Sequence, residues 1–162
     1  MKKIILIWIV LILLPSVRSE AGTLKPSYAI GGGSYLLEKY FEKNEELYSE
    51  EDLRLLSAAM ELENGSNSDE CLYLTGSVIL NRRDYCKWCP DTIRGVLYQK
   101  GQYAKHTVDN LETVQVSDRV RNIALNLLLC GTRTPKNLVY QAMRPQGKHY
   151  KKVDTEYFGL EE

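Results

Sequence analysis

The chain has 162 residues and sets 21 Lys plus Arg against 21 Asp plus Glu. A surface with no formal net charge gives no electrostatic case for a nucleic-acid binder, which leans on clustered cations. The length fits one domain once a targeting segment is subtracted, and the remaining ~140 residues can bury one sound core.

Residues 1–19 have the pattern of an export signal. Lys2 and Lys3 precede an uninterrupted apolar run from Ile4 to Leu14, Pro15 breaks it, and small residues follow at cleavage spacing. The run is shorter than the ~20 apolar residues of a spanning helix, and an uncleaved anchor is the alternative. The protein is therefore expected outside the cytoplasm, secreted or held at the cell wall. Residues 20–48 form a linker with Gly31-Gly32-Gly33, then a helical pattern from Tyr35 to Lys43. A catalytic domain is expected over 49–162.

Within it, Ser49 before Glu50-Glu51-Asp52 starts a helix that carries Leu53, Leu56, Ala59 and Met60 and stops near Asn64-Gly65. Asn64-Gly65-Ser66 matches a glycosylation sequon but is better explained as that helix end. Ser68-Asp69-Glu70 opens a second helix, ending near Arg82-Arg83. Pro90-Asp91-Thr92 opens a short third, and Ser117-Asp118 caps another that Gly131 stops. The tail from Leu138 to Gly159 is rich in Tyr and turn residues and suits loops with one or two short strands. The fold class expected is mainly α (α+β).

Four cysteines, Cys71, Cys86, Cys89 and Cys130, allow three disulfide connectivities in an exported chain, or remain as thiols. Cys86-Lys87-Trp88-Cys89 lacks both a preceding strand for redox work and partners for a zinc site, since His106 and His149 are the only histidines. No metal or cofactor is expected. Eleven Tyr against two Phe and two Trp suit carbohydrate and partly wet core positions alike.

Among the carboxylates, Glu63 is distinguished by position. At about 100° per residue it falls in the sector of Leu53, Leu56, Ala59 and Met60, whereas Glu61 projects toward solvent. Leu55 and Leu62 lie off this stripe. Glu63 also sits in the last helical turn, at the negative end of the dipole. Burial and dipole both disfavour a charged carboxylate, and a proton-bearing Glu is what a general acid at a glycosidic oxygen requires. By these features alone a solvated side chain at a frayed helix end is the commoner outcome.

Four blocks in order resemble the SleB/CwlJ-type cell wall hydrolases. They are Leu55-Leu56 through Glu63 to Ser68-Asp69-Glu70-Cys71; Gly76-Ser77-Val78-Ile79-Leu80-Asn81-Arg82; Pro90 through Tyr98 with Gly101-Gln102-Tyr103; and Val139-Tyr140-Gln141-Ala142 with Tyr157-Phe158-Gly159. Aligned without gaps backward from Asn81-Arg82, Glu63 falls on the family's catalytic Glu. The sequence departs at Ser66-Asn67, where members often have Gly-Glu, and at Glu156, where many have His.

The resemblance implies a lysozyme-like domain that cuts peptidoglycan between N-acetylmuramic acid and N-acetylglucosamine. Glu63 is then the acid of a lytic transglycosylase or muramidase, with no cofactor and a monomeric state expected. Asn81, Gln102, Tyr103 and Gln141 are the expected substrate contacts, because amides donate to and accept from sugar groups. Asn81 can equally cap a helix end and Tyr103 can be core. A two-carboxylate hydrolysis needs a second acid, for which Asp84, Asp109 and Glu156 are formal candidates. The rival expectation is an inactive wall-binding protein on the same scaffold.

Overall fold

The computed structural model describes residues 48–162, so the export signal and the Tyr35 to Lys43 helix lie outside the described residues. Helix α1 spans Glu50–Asn64. The Ser49 hydroxyl accepts from the Asp52 N–H at 2.9 Å, and three acidic residues in the first turn complement the helix dipole. Leu53, Leu55, Leu56, Ala58, Ala59 and Met60 are all buried. This explains why Leu55 lies off a single stripe: α1 is enclosed by neighbours on several sides, so it has no broad polar face to keep.

Those neighbours are α2 (Asp69–Tyr85), α3 (Ile93–Tyr98), α4 (Lys105–Asn110) and α5 (Asp118–Cys130). Ser68, Thr92 and Ser117 cap α2, α3 and α5 through their side-chain oxygens. Gly131 closes α5 with φ 73°, a conformation that favours glycine. Gly76, midway along α2, marks a close approach of helices: a Cβ there would sit 2.9 Å from Met60 Sδ and closer still to Leu127. Glu61 lies at the partly exposed surface, as its helical angle suggests, but it is not free there. It accepts from the Ser117 N–H at 2.9 Å and hydroxyl at 2.7 Å, and so ties α1 to the start of α5.

The tail folds into three strands, more than expected: β1 (Leu138–Ala142), β2 (Lys148–Val153) and β3 (Glu156–Leu160). They form an antiparallel sheet in the order β1-β3-β2. Asp154 turns the β2–β3 hairpin at φ 51°, and its carboxylate accepts from the Ser68 N–H at 2.9 Å and hydroxyl at 2.7 Å. The hairpin is thereby docked on the first turn of α2.

Helix α2 has two buried sides. Leu72, Ile79 and Leu80 join the core with α1 and α5, while Cys71, Leu74 and Val78 pack against Leu138, Val153 and Phe158 of the sheet. Side chains alternate along a strand, so Glu156 shares the face of Phe158, and Gln141 stands opposite Phe158 in the ladder. The sheet therefore turns two polar side chains toward the helices. Among the described residues, no helix is long and apolar enough to cross a membrane.

Candidate active site

Glu63 lies in the last turn of α1, half-buried. The Thr107 hydroxyl, brought in by α4, donates to its Oε1 at 2.6 Å and fixes the carboxyl's orientation. The side chain lines a cleft of about 290 Å³ between the helices and the sheet. Val78 and Arg82 enter from one face of α2, four residues apart, and Gln102 and Tyr103 from the segment between α3 and α4. Gln141, Ala142 and Met143 contribute from β1 and just beyond it, and Glu156 from β3.

Arg82 is only 5% exposed. Its Nε donates to the Val139 carbonyl at 2.7 Å, its Nη1 to the Tyr103 hydroxyl at 3.4 Å, and its guanidinium lies 5.6 Å from the Tyr103 ring centroid. It joins no ion pair among the described residues, and Nη2 makes no hydrogen bond there. A buried cation that lacks a carboxylate partner can act on a ligand. Burial pushes the Tyr103 phenol up from its ordinary range against the opposing pull of Arg82, so it stays a neutral donor and acceptor.

Glu156 is 9% exposed. Burial pushes its carboxyl above the usual carboxylate range; the Gln141 amide opposes this, and the negative charge of Glu63 adds to it. Asp84 and Asp109 are exposed and paired with Arg83 and Lys105. Of the three candidate second acids, Glu156 alone lines the cleft.

Four sequence-designated residues, Glu63, Gln102, Tyr103 and Gln141, thus line one cavity. Asn81 does not join them. It is fully buried, its amide donates to Thr134 Oγ1 at 3.2 Å and to the carbonyls of Pro135 and Leu138 at 2.9 and 3.1 Å, and its oxygen accepts from Thr132 at 3.0 Å. These bonds fasten the segment leading into β1 to α2. Asn81→Ala is therefore expected to cost about 2 kcal/mol, as buried groups lose their partners. Urea unfolding measures that loss, while sugar binding to the folded variant is expected to be unchanged.

Sequence reasoning missed Thr107, because Lys105–Asn110 holds one buried residue and no apolar period. It also missed the role of Arg82, which was read only as part of a motif. Cys86 and Cys89 form a disulfide, while Cys71 is a buried thiol and Cys130 an exposed one.

Helices around a central buried helix, a small antiparallel sheet and a carboxylate-lined cleft between them define a lysozyme-like α+β domain. The fold is similar to that of a solved structure described as the catalytic domain of the Bacillus cereus SleB protein. The TM-score is 0.58 at 19% identity, covering 68% of this chain and 91% of that one. At that identity the likeness is one of fold. No family model and no curated protein matches the sequence.

Proposed function

We propose that this chain cleaves peptidoglycan glycan strands between N-acetylmuramic acid and N-acetylglucosamine as a lytic transglycosylase, outside the cytoplasm, after export by residues 1–19. The observation that carries the reading is the setting of Glu63. Its carboxyl is oriented by Thr107 and lines a cleft with amides and a phenol that suit sugar hydroxyls and N-acetyl groups.

In the reaction, Glu63 gives its proton to the leaving glycosidic oxygen as the C1–O bond breaks. The substrate's N-acetyl oxygen supports the cationic carbon, the muramyl 6-hydroxyl attacks it, and the hydroxyl proton returns to Glu63. One protein carboxyl suffices for this sequence, because the substrate supplies the nucleophile. Gln102, Gln141 and Tyr103 hold the sugar, and the free Nη2 of Arg82 donates to one of its oxygens.

Mass spectrometry of products from purified peptidoglycan tests the proposal. Fragments with 1,6-anhydro ends are the expected result. Reducing ends would reassign the chain as a hydrolase, and binding without fragments would make it a wall-binding protein.

A further inference from the structure

The Cys86-Lys87-Trp88-Cys89 turn has no part in the proposed chemistry, yet it holds a large aromatic ring in the open. Trp88 is 42% exposed. Its turn follows the end of α2 and is closed twice, by the Cys86–Cys89 disulfide and by the Cys89 N–H, which donates to the Cys86 carbonyl at 3.4 Å. The ring itself is also fixed. Its Nε1 donates to Glu161 Oε1 at 2.6 Å, and it stacks on Tyr140 with centroids 6.5 Å apart and planes 22° from parallel. Tyr140 is wedged in turn, since a Cβ at Gly147 would come to 2.6 Å from its ring.

A single exposed ring is common on protein surfaces. This one is held by covalent, polar and aromatic contacts together, so a ligand meets it at little ordering cost. Trp88 is also one step from the cleft on two sides. Its carbonyl accepts from Gln99 Nε2 at 3.3 Å, and the Gln99 carbonyl accepts from the N–H of Gln102, which lines the cleft. Tyr140, against which it stacks, precedes Gln141, which lines the cleft from β1.

We propose that Trp88 is a sugar-stacking subsite outside the cleft, taking a ring of the glycan strand where it continues past Gln102 and Gln141. That the strand is peptidoglycan rests on the glycan-cleavage reading; the stacking of an N-acetylhexosamine ring on Trp88 does not.

The surroundings of the indole select this occupant. Its N–H is committed to Glu161, which leaves the ring face as the binding element. Glu161 Oε2 makes no hydrogen bond among the described residues and remains an acceptor beside that ring. A purely apolar ligand would bury this carboxylate oxygen without a partner, at a cost. A pyranose ring suits both groups, because its C–H bonds form a flat apolar face while its hydroxyls donate at the edge. The cleft of about 290 Å³ bounds only the stretch around the reacting bond, whereas the substrate is a polymer. Contact beyond the cleft then fixes the register of the strand over Glu63.

Trp8 and Trp88 are the two tryptophans of the chain, so Trp8→Phe in the full chain makes its emission a report on Trp88 alone. The probes are β-1,4-linked N-acetylglucosamine dimers and hexamers, which lack the muramic acid that the proposed reaction needs. The hexamer is expected to shift the emission saturably, at concentrations well below those the dimer requires. By calorimetry, Trp88→Ala is expected to weaken hexamer binding about tenfold. Trp88→Tyr keeps a flat ring and is expected to retain most of the affinity, which a merely structural role would not predict. On peptidoglycan, Trp88→Ala should raise KM by a similar factor. Hexamer binding that leaves the emission unmoved would overturn the subsite, as would a dimer as effective as the hexamer or native affinity in a folded Trp88→Ala. Should Trp88→Ala fail to fold, the emission shift and Trp88→Tyr still decide. An emission shift in a chain that cuts no peptidoglycan would support the subsite and refute the glycan-cleavage reading. Cleavage with a KM indifferent to Trp88→Ala would keep that reading and refute the subsite.

Discussion

Glu63→Gln is expected to lower glycan cleavage by about 10²–10⁴-fold, the span associated with losing a positioned general acid. The substitution keeps the side chain's size and an oxygen that can still accept from the Thr107 hydroxyl, which lies 2.6 Å from Oε1 in the native site. What it removes is a proton that can be given up to a departing oxygen. Because Glu63 is half-buried at a helix end and joins no ion pair among the described residues, the fold should survive. Melting temperature and affinity for undigested glycan are therefore the controls, and both should stay near wild type. A variant that cuts at the native rate would remove Glu63 from the chemistry and leave Glu156 as the only other carboxyl lining the cleft among the described residues.

Much of the helical framework was legible because its signals are local. Ser49, Ser68 and Ser117 each accept from a backbone N–H three residues on, and that chemistry is visible in any short window. For Glu63 the helical angle gave only its place in the apolar sector, without deciding between a buried and a solvated side chain; the side chain is half-buried and lines the cleft. What was not legible shares an opposite cause. Glu61 has a solvent-side angle, but its partner Ser117 is 56 residues away. Asn81 has the amide chemistry expected of a sugar contact, yet the distant carbonyls of Pro135 and of Leu138, the first residue of β1, consume it. Thr107 rides on a six-residue helix whose sequence has no period to detect. Glu156 was visible only as one acid among three, and strand alternation selects it once β3 and its register with β1 are known.

The second large effect concerns the sheet that carries Glu156 and Gln141. Phe158→Ala is expected to destabilise the domain by about 3–5 kcal/mol, the range for truncating a buried aromatic. Phe158 is 1% exposed and sits with Leu74, Val78 and Leu138 in the smaller of the two apolar clusters, where β3 meets α2. The polar ties across this boundary are weaker substitutes. Lys151 with Glu70 is an exposed ion pair, a kind worth at most about 1 kcal/mol. The Asp154 contact to Ser68 is also at the surface. Its carboxyl is held low by the Ser68 hydroxyl and N–H, so its contribution is present at neutral pH and fades as pH falls through the folded value. Loss of Phe158 should therefore lower the urea midpoint strongly. It should also reduce cleavage below the melting temperature, because Glu156 and Gln141 project from the same face of the sheet. A loss under about 1 kcal/mol would mean that the sheet is seated by its hydrogen bonds rather than by apolar packing. Helical content retained alongside lost cleavage would show that the cleft depends on how β3 is packed, even while α1 keeps Glu63 in place.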